Sequence, residues 1–199
     1  MSKWLSEIEL KGSHVTLTPL KQSHSQELLI AASNNNLNDL WYTNIPDRDS
    51  IDQYIQNAIS EQENGTMLPF IVIDNKSNKI IGTTRFLNSD SDNKRTEIGY
   101  TWYAKAFHKT AVNTECKLLL LSHAFEELNA IAVELRTHFH NHQSRNAILR
   151  LGAKQDGILR SHSITQGGLI RDTVVYSIIK CEWPTVKHNL KFKLKTYIN

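Results

Sequence analysis

The part of the chain that most restricts its fold is a helix pattern set between two strand patterns. Val112–Leu128 places Cys116, Leu119, Leu120 and Phe125 on one side at helical spacing. Thr96–Tyr103 before it and Ile131–Phe139 after it both read as strands. A helical crossover returns the chain to the end of the sheet where it began, so the two strands should lie parallel. The preceding segments ask for the opposite. Leu68–Asp74, Ile80–Leu87 and Thr96–Tyr103 follow one another through short polar turns at Asn75–Asn78 and Asn88–Lys94, the pattern of an antiparallel meander. A chain containing both patterns predicts a mixed α/β sheet.

The remaining elements fit around that sheet. Val15–Leu20 alternates as a strand, Ser23–Ala32 reads as a helix, and Asn34–Asn36 reads as its exit. In Ser50–Glu63 the apolar residues Ile51, Tyr54, Ile55, Ala58 and Ile59 recur at spacings of three and four, which predicts an amphipathic helix. Gln143–Leu151 should be a helix stopped by Gly152. Ala153–Arg160 and Asp172–Ile179 read as strands around a turn at Gln166–Gly168, and a short helix follows from Glu182 with Pro184 near its start. No repeat, linker or shift in composition divides the chain, so residues 1–199 are read as one domain. At 199 residues it can bury a core without a disulfide or metal.

Composition narrows the function classes. The net charge of +3 permits an anionic ligand but does not suggest nucleic acid. Lys187, Lys191, Lys193 and Lys195 read as a solvated terminal helix rather than a nucleic-acid patch. Cys116 and Cys181 both fall in apolar segments, which predicts two reduced core thiols. The longest apolar run is Leu118–Leu121, far short of the ~18 residues that span a bilayer. Met1–Glu7 lacks the apolar region of a signal peptide, so the expected compartment is the cytoplasm, with no membrane partner.

Chemistry concentrates in a few places. Gly99–Glu115 runs from a strand through a short turn into a helix start. A helix N-terminus offers unpaired N–H groups and a partial positive charge that favour a phosphate. Lys105, His108 and Lys109 add donors there, while Thr110 or Asn113 could equally serve as a plain cap. His138, His140 and His142 would share one face if that segment were a strand, although no Cys, Asp or Glu lies near to complete a metal site. Asn141 and Ser144 open a helix, and spacing alone makes Asn141 its cap. Among the carboxylates, Glu115, Glu126 and Glu127 read as mostly solvated. Glu97 and Glu134 sit in strands, where an inward carboxylate needs a partner; for Glu97 that partner is Arg85 or Arg95.

In order and spacing these segments resemble the GNAT N-acetyltransferases, in the branch that includes the ribosomal-protein alanine acetyltransferases. The match runs through Val15–Leu20, Ile80–Thr84, Glu97–Trp102, Val112–Lys117, His123–Glu126, Asn141 with Ser144–Ile148, Leu151–Ala153, Gly157–His162 and Arg171–Ser177, nearly the whole chain. The resemblance implies a GNAT-like, mostly antiparallel sheet with one splayed parallel strand pair, flanked by helices. It implies acetyl-CoA as donor, with no metal, and a primary amine as acceptor, either a protein N-terminus or a small molecule. A homodimer is a family-level expectation. In such proteins backbone groups near Thr101, Trp102 and Tyr103 hold the pantetheine arm, and the amides of His108, Lys109, Thr110, Ala111, Val112 and Asn113 hold the pyrophosphate. Asn141 would touch the pantetheine and Ser144 would be the general acid for the departing thiolate. A strand amide near Trp102 would meet the oxyanion, and Glu97, through water, is the candidate base. The family's phosphate turn usually reads Gln or Arg, two residues, Gly, one residue, then Gly or Ala; here those positions are His108, Ala111 and Asn113. Ala111 in place of glycine favours the alternative, a non-catalytic acyl-CoA or ligand-binding protein on the same fold. The Asn141–Ser144 pair argues for catalysis.

Overall fold

Residues 4–33, 41–43, 45–165 and 167–197 are described by a computed structural model of the chain. The expected helix exit at Asn34–Asn36, the first three residues of the N-terminal segment and Gln166 of the expected turn lie outside them. The strands are β1 (Leu10–Lys11), β2 (Val15–Pro19), β3 (Leu68–Asp74), β4 (Lys79–Asp90), β5 (Arg95–Tyr103), β6 (Ala132–His138), β7 (Lys154–Ile164) and β8 (Ile170–Ile179). The helices are α1 (Ser25–Ser33), α2 (Ile51–Glu63), α3 (Ala111–Ser122), α4 (His142–Leu151) and α5 (Trp183–Lys195). They order into one eight-stranded sheet, β1-β2-β3-β4-β5-β6-β8-β7. Every neighbour pair is antiparallel except β5–β6, the pair joined by the α3 crossover.

Strand alternation sorts the side chains onto two faces. Leu28, Ala32, Ile55 and Ala58 of α1 and α2 pack with Ile71, Leu87 and Trp102 on one face. Val112, Cys116 and Leu120 of α3, Ile148 and Leu151 of α4, and Val186 and Leu190 of α5 pack with Phe70, Phe86, Ile98, Val133 and Tyr176 on the other. α3 continues into a wider π turn at His123–Glu127. Gly152 ends α4 at φ 106°, the left-handed conformation expected of a glycine stop.

Two irregularities shape the middle of the sheet. Thr83 pairs with Trp102 and Arg85 with Gly99, so β5 spends one more residue than β4 between these pairs. The bulge holds Tyr100 at φ 49°, a conformation that costs a bulky residue energy. A Cβ on Gly82 would stand 2.1 Å from the Trp102 carbonyl oxygen, so glycine is required where β4 crosses close to the bulged strand. The second irregularity is the parallel pair. Arg95, Thr96 and Glu97 pair with Ala132, Val133 and Glu134, and there the register ends, although β5 runs on to Tyr103 and β6 to His138.

Several sequence expectations change. The polar turn expected at Asn88–Lys94 is shorter, because β4 and β5 stay paired out to Asp90 and Arg95. Ser89 and Thr96 are joined there by a 2.7 Å hydroxyl bond, and Asn88 Nδ2 donates to Glu97 at 2.9 Å. The β7–β8 hairpin likewise extends to Ile164 and Ile170. Cys116 is buried, but Cys181 is exposed, since it falls in the turn between β8 and α5 rather than in the apolar strand before it. Glu115 is buried, not solvated. Its carboxylate accepts the backbone N–H groups of Ser13, His14 and Val15 at 2.9, 2.6 and 2.8 Å. That bond set ties the β1–β2 turn to the first turns of α3, and Gly12 leaves room for the carboxylate, which a Cβ would meet at 2.5 Å.

Candidate active site

Beside the end of the β5–β6 pairing, the residues expected in the phosphate turn gather at the N-terminus of α3. Thr110 is the N-cap of that helix, its Oγ1 accepting from Val112 N at 3.3 Å and donating to the Phe107 carbonyl at 2.8 Å. The first amides of any helix lack helical partners, and here they are presented by Ala111–Asn113. His108 turns back, its Nε2 lying 2.9 Å from the Tyr103 carbonyl. The left-handed residue of the turn is Lys109, at φ 60°. Ala111 begins the helix proper and is absent from the positive-φ positions, so its methyl group costs nothing in backbone strain. The tyrosine hydroxyl of Tyr103 donates to Asn113 Oδ1 at 3.3 Å, which anchors the strand end to the helix start.

On the same face, α4 begins beside β6. Asn141 Oδ1 accepts from Ser144 N at 3.0 Å, so Asn141 is the cap that spacing predicts and Ser144 stands in the first turn, half-buried. Arg145 donates to Tyr176 Oη at 3.1 Å and to the Phe139 carbonyl at 3.2 Å, locking this helix start against β6 and β8.

Glu97 projects from the opposite face. Its strand neighbour Ile98 faces the α3 core, and on β6 the core residues Val133 and Leu135 alternate with Glu134 and Arg136. Glu97 is 7% exposed and does not pair with Arg85 or Arg95; it accepts from Asn88 and lies 3.4 Å from Arg136 Nε. Arg95 instead pairs with Glu134 at 2.7 Å, because β6 sets Glu134 directly beside Glu97 and Arg95 at the parallel register. Burial raises the Glu97 pKa, against the pull of Asn88 and Arg136. Burial also acts on Glu134, but hydrogen bonds from Arg95 and Arg136 outweigh it and its pKa falls. The two adjacent carboxylates are therefore driven in opposite directions, and Glu97 is the one more ready to hold a proton.

Two charged residues stand near this site: Lys117, to which the sequence gave no role, and Arg85, named there only as a partner for Glu97. Lys117 is 4% exposed, and its Nζ donates to Thr101 Oγ1 at 2.7 Å; that hydroxyl is also 2.7 Å from Thr84 Oγ1. Burial brings its pKa down to about 8. Its signal was a lysine on the apolar stripe formed by Cys116, Leu120 and Leu121. Beside it, burial pushes the Cys116 thiol up to about 12, which leaves an un-ionised core thiol. Arg85 lies on the α2 face, against the rings of Tyr54 and Tyr100, whose centroids are 4.2 and 4.5 Å from its Cζ. The Trp102 side chain reaches the same group, its Nε1 donating to Tyr54 Oη at 3.4 Å. An open cleft of about 510 Å³ runs along this face, lined by Asn57, Ser60, Glu61, Met67, Arg85, Leu87, Asn88 and Tyr100.

The histidines do not share a strand face. β6 stops at His138, His140 N donates to His138 Nδ1 at 3.1 Å, and His142 opens α4. Among the described residues no group of three His, Cys, Asp or Glu side chains is arranged to hold a metal ion. The tail lysines are partly engaged, Lys187 with Glu126 at 2.6 Å and Lys193 with the Arg150 carbonyl. No helix among the described residues is long and apolar enough to cross a membrane.

Residues 14–154 match the family model for the acetyltransferase (GNAT) domain. The chain is 34% identical over 104 residues to YdaF of Bacillus subtilis (strain 168), a candidate ribosomal N-acetyltransferase; the match covers 52% of this chain and 56% of YdaF. The chain thus spans little more than half the length of that curated relative. A solved GCN5-related N-acetyltransferase from Brucella melitensis superimposes with a TM-score of 0.86 at 28% identity, over 96% of this chain and 86% of the other. A more distant structure, the microcin C7 self-immunity acetyltransferase MccE in complex with acetyl-CoA and AMP, shares the fold with a TM-score of 0.72 at 20% identity, over 84% and 93% of the two chains.

Proposed function

Because the chain belongs to the GNAT acetyltransferase family, we propose that it transfers an acetyl group from acetyl-CoA to a primary amine by direct attack, within a single domain spanning residues 1–199. The observation that carries this reading is the separation of β5 from β6 beyond Glu97 and Glu134, beside the N-terminus of α3 and with Glu97 on the far face. Strand backbone left unpaired beyond that register can take the extended pantetheine arm, as an added strand would be taken. The α3 amides and helix dipole suit the pyrophosphate, with His108, Lys109 and Thr110 completing the turn. Crystallisation of MccE with acetyl-CoA on the same fold supports the choice of donor.

The two faces divide the chemistry. An amine with an ordinary pKa is protonated at neutral pH and must first lose a proton. Glu97, buried and with its pKa raised, takes that proton directly or through one water. The free amine attacks the thioester carbonyl, and the negative charge that develops on its oxygen is met by a strand amide near Trp102. Collapse of the tetrahedral intermediate forms the amide and releases the thiolate. Ser144, across the sheet in the first turn of α4, gives the thiolate its proton or a hydrogen bond. The relation to YdaF supports the ribosomal-protein branch and so a protein N-terminus as acceptor. The cytoplasm is the compartment that suits such an acceptor.

Calorimetry with acetyl-CoA, followed by an acceptor screen with thiol detection, tests the reading. Saturable binding and thiol release that requires an amine are expected. Binding with no release for any amine would leave an acyl-CoA-binding protein; absence of binding would refute the donor assignment.

A further inference from the structure

Among the described residues Arg85 is a buried cation without a counter-ion. It is 3% exposed, and no carboxylate pairs with it among the described residues. Among the described residues its Nη1 reaches the weak acceptor Met67 Sδ at 3.6 Å, while Nε and Nη2 have no hydrogen-bond partner. Desolvating a guanidinium is costly, and buried charges are normally paired or fully hydrogen-bonded. The nearby acids are engaged elsewhere. Glu97 takes Asn88 and Arg136, and Glu61, at the exposed rim of the cleft, takes Thr66 Oγ1 at 2.8 Å.

The geometry of what is left unpaired is informative. Nε and Nη2 form one edge of the planar fork, the edge that accepts a carboxylate in bidentate fashion. Tyr54 and Tyr100 lie against the guanidinium on adjacent sides, their ring centroids 6.3 Å from each other, and restrict how the fork can turn. Arg85 lines the cleft of about 510 Å³, on the face of the sheet that carries Glu97. Tyr100, one of the two rings against it, is 49% exposed.

We propose that Arg85 receives an anionic group of the acceptor, specifically a carboxylate, so that the acceptor is an amine that also carries a carboxylate. The inference rests on the acetyl-transfer reading for the word acceptor, and on Arg85 alone for the anion. For a protein N-terminus the carboxylate belongs to an acidic side chain close behind the amine.

Two measurements separate the anion site from the reaction. In protein labelled with ¹⁵N at arginine, the Arg85 Nε–H signal is assigned by its disappearance in Arg85→Lys. Glutarate should shift that signal saturably, and glutaramide, of the same shape without charge, should not. In the second measurement, peptide acceptors with Glu at position two are compared with their Gln counterparts. The wild type should prefer Glu by about tenfold or more in kcat/KM, the scale of a bidentate charged contact, and the preference should collapse toward one in Arg85→Lys and Arg85→Met. Arg85→Met should keep or raise the melting temperature, because it removes a buried charge that has no partner. Equal use of Glu and Gln peptides together with no glutarate shift overturns the proposal, as does a marked fall in melting temperature with discrimination retained. If glutarate shifts the signal and no amine is acetylated, the anion site stands and the acetyl-transfer reading fails.

Discussion

Replacing Lys117 by methionine should stabilise the protein at neutral pH and lose that advantage in strong alkali. Lys117 is buried on the apolar side of α3, and its Nζ has one hydrogen bond, to Thr101 Oγ1 at 2.7 Å. Burial takes its pKa from the ordinary 10.5 to about 8. At 1.36 kcal/mol per pH unit that difference is about 3 kcal/mol of unfavourable free energy carried by the charged form in the folded state. The sign follows from the two pKa values. Below pH 8 both folded and unfolded chains hold the proton and the cost is complete. Between about 8 and 10.5 the folded chain releases a proton that the unfolded chain keeps, so wild-type stability rises; above that range the cost is gone. Methionine fills a similar volume with no charge, and losing the Thr101 bond costs about 1 kcal/mol. The net expectation is about 2 kcal/mol of stabilisation at pH 7, shrinking to nothing or reversing near pH 11. Urea titrations of both proteins at a series of pH values read this difference directly. A variant less stable than wild type at pH 7, or a difference that does not change between pH 8 and 10.5, would refute the account of Lys117 as an uncompensated buried charge.

The catalytic assignments and the α3 staple make three further claims. Ser144→Ala should lower kcat about 10- to 1,000-fold with little change in acetyl-CoA Kd; an unaltered kcat, measured where chemistry limits the rate, removes Ser144 from the mechanism. Glu97→Gln should abolish the acid limb of the kcat/KM profile, and in the wild type that limb should lie above the ordinary carboxylate value of 4.5 because burial raises this group. Glu115→Gln leaves one of its three backbone N–H partners facing an amide nitrogen or weakened, and should cost about 2–3 kcal/mol in urea denaturation; a change within 0.5 kcal/mol would mean that water replaces the carboxylate.

The local patterns that carried the fold are those whose causes lie within a few residues. Apolar spacing placed α2 and β3 almost to the residue, and Gly152 marked the end of α4 through its own backbone freedom. The crossover logic gave the parallel pair, since a single helix returns the chain to the end of the sheet where it began. The site was legible only in outline. Thr110 and Asn141 are caps, which neighbouring residues determine. Glu115 looked solvated because its partners are amides about 100 residues earlier in the chain, and no local pattern encodes them. Glu97 was given Arg85 or Arg95 as partner because sequence proximity stood in for sheet register, whereas its ion-pair partner Arg136 comes from the strand across the parallel pair. Arg85 and Lys117 were given no role of their own for a related reason. A charge inside an apolar pattern is visible in sequence, but whether anything compensates it is visible only once the surroundings are in place.

The bulge at Tyr100 sets the phase of everything after it. In an uninterrupted strand Tyr100 would share a face with Ile98, and Trp102 and Tyr103 would exchange sides. The extra residue instead sends Tyr100 to Arg85 and Trp102 to Tyr54, while Thr101 meets Lys117 and Tyr103 meets Asn113. Odd and even positions thus trade roles halfway along one strand. Shortening β5 by one residue here is therefore a different operation from changing any single side chain. It would take out the extra residue and leave Thr101, Trp102 and Tyr103 on their present faces, whereas straightening the bulge with every residue kept would exchange them and move an indole into the place of a threonine hydroxyl.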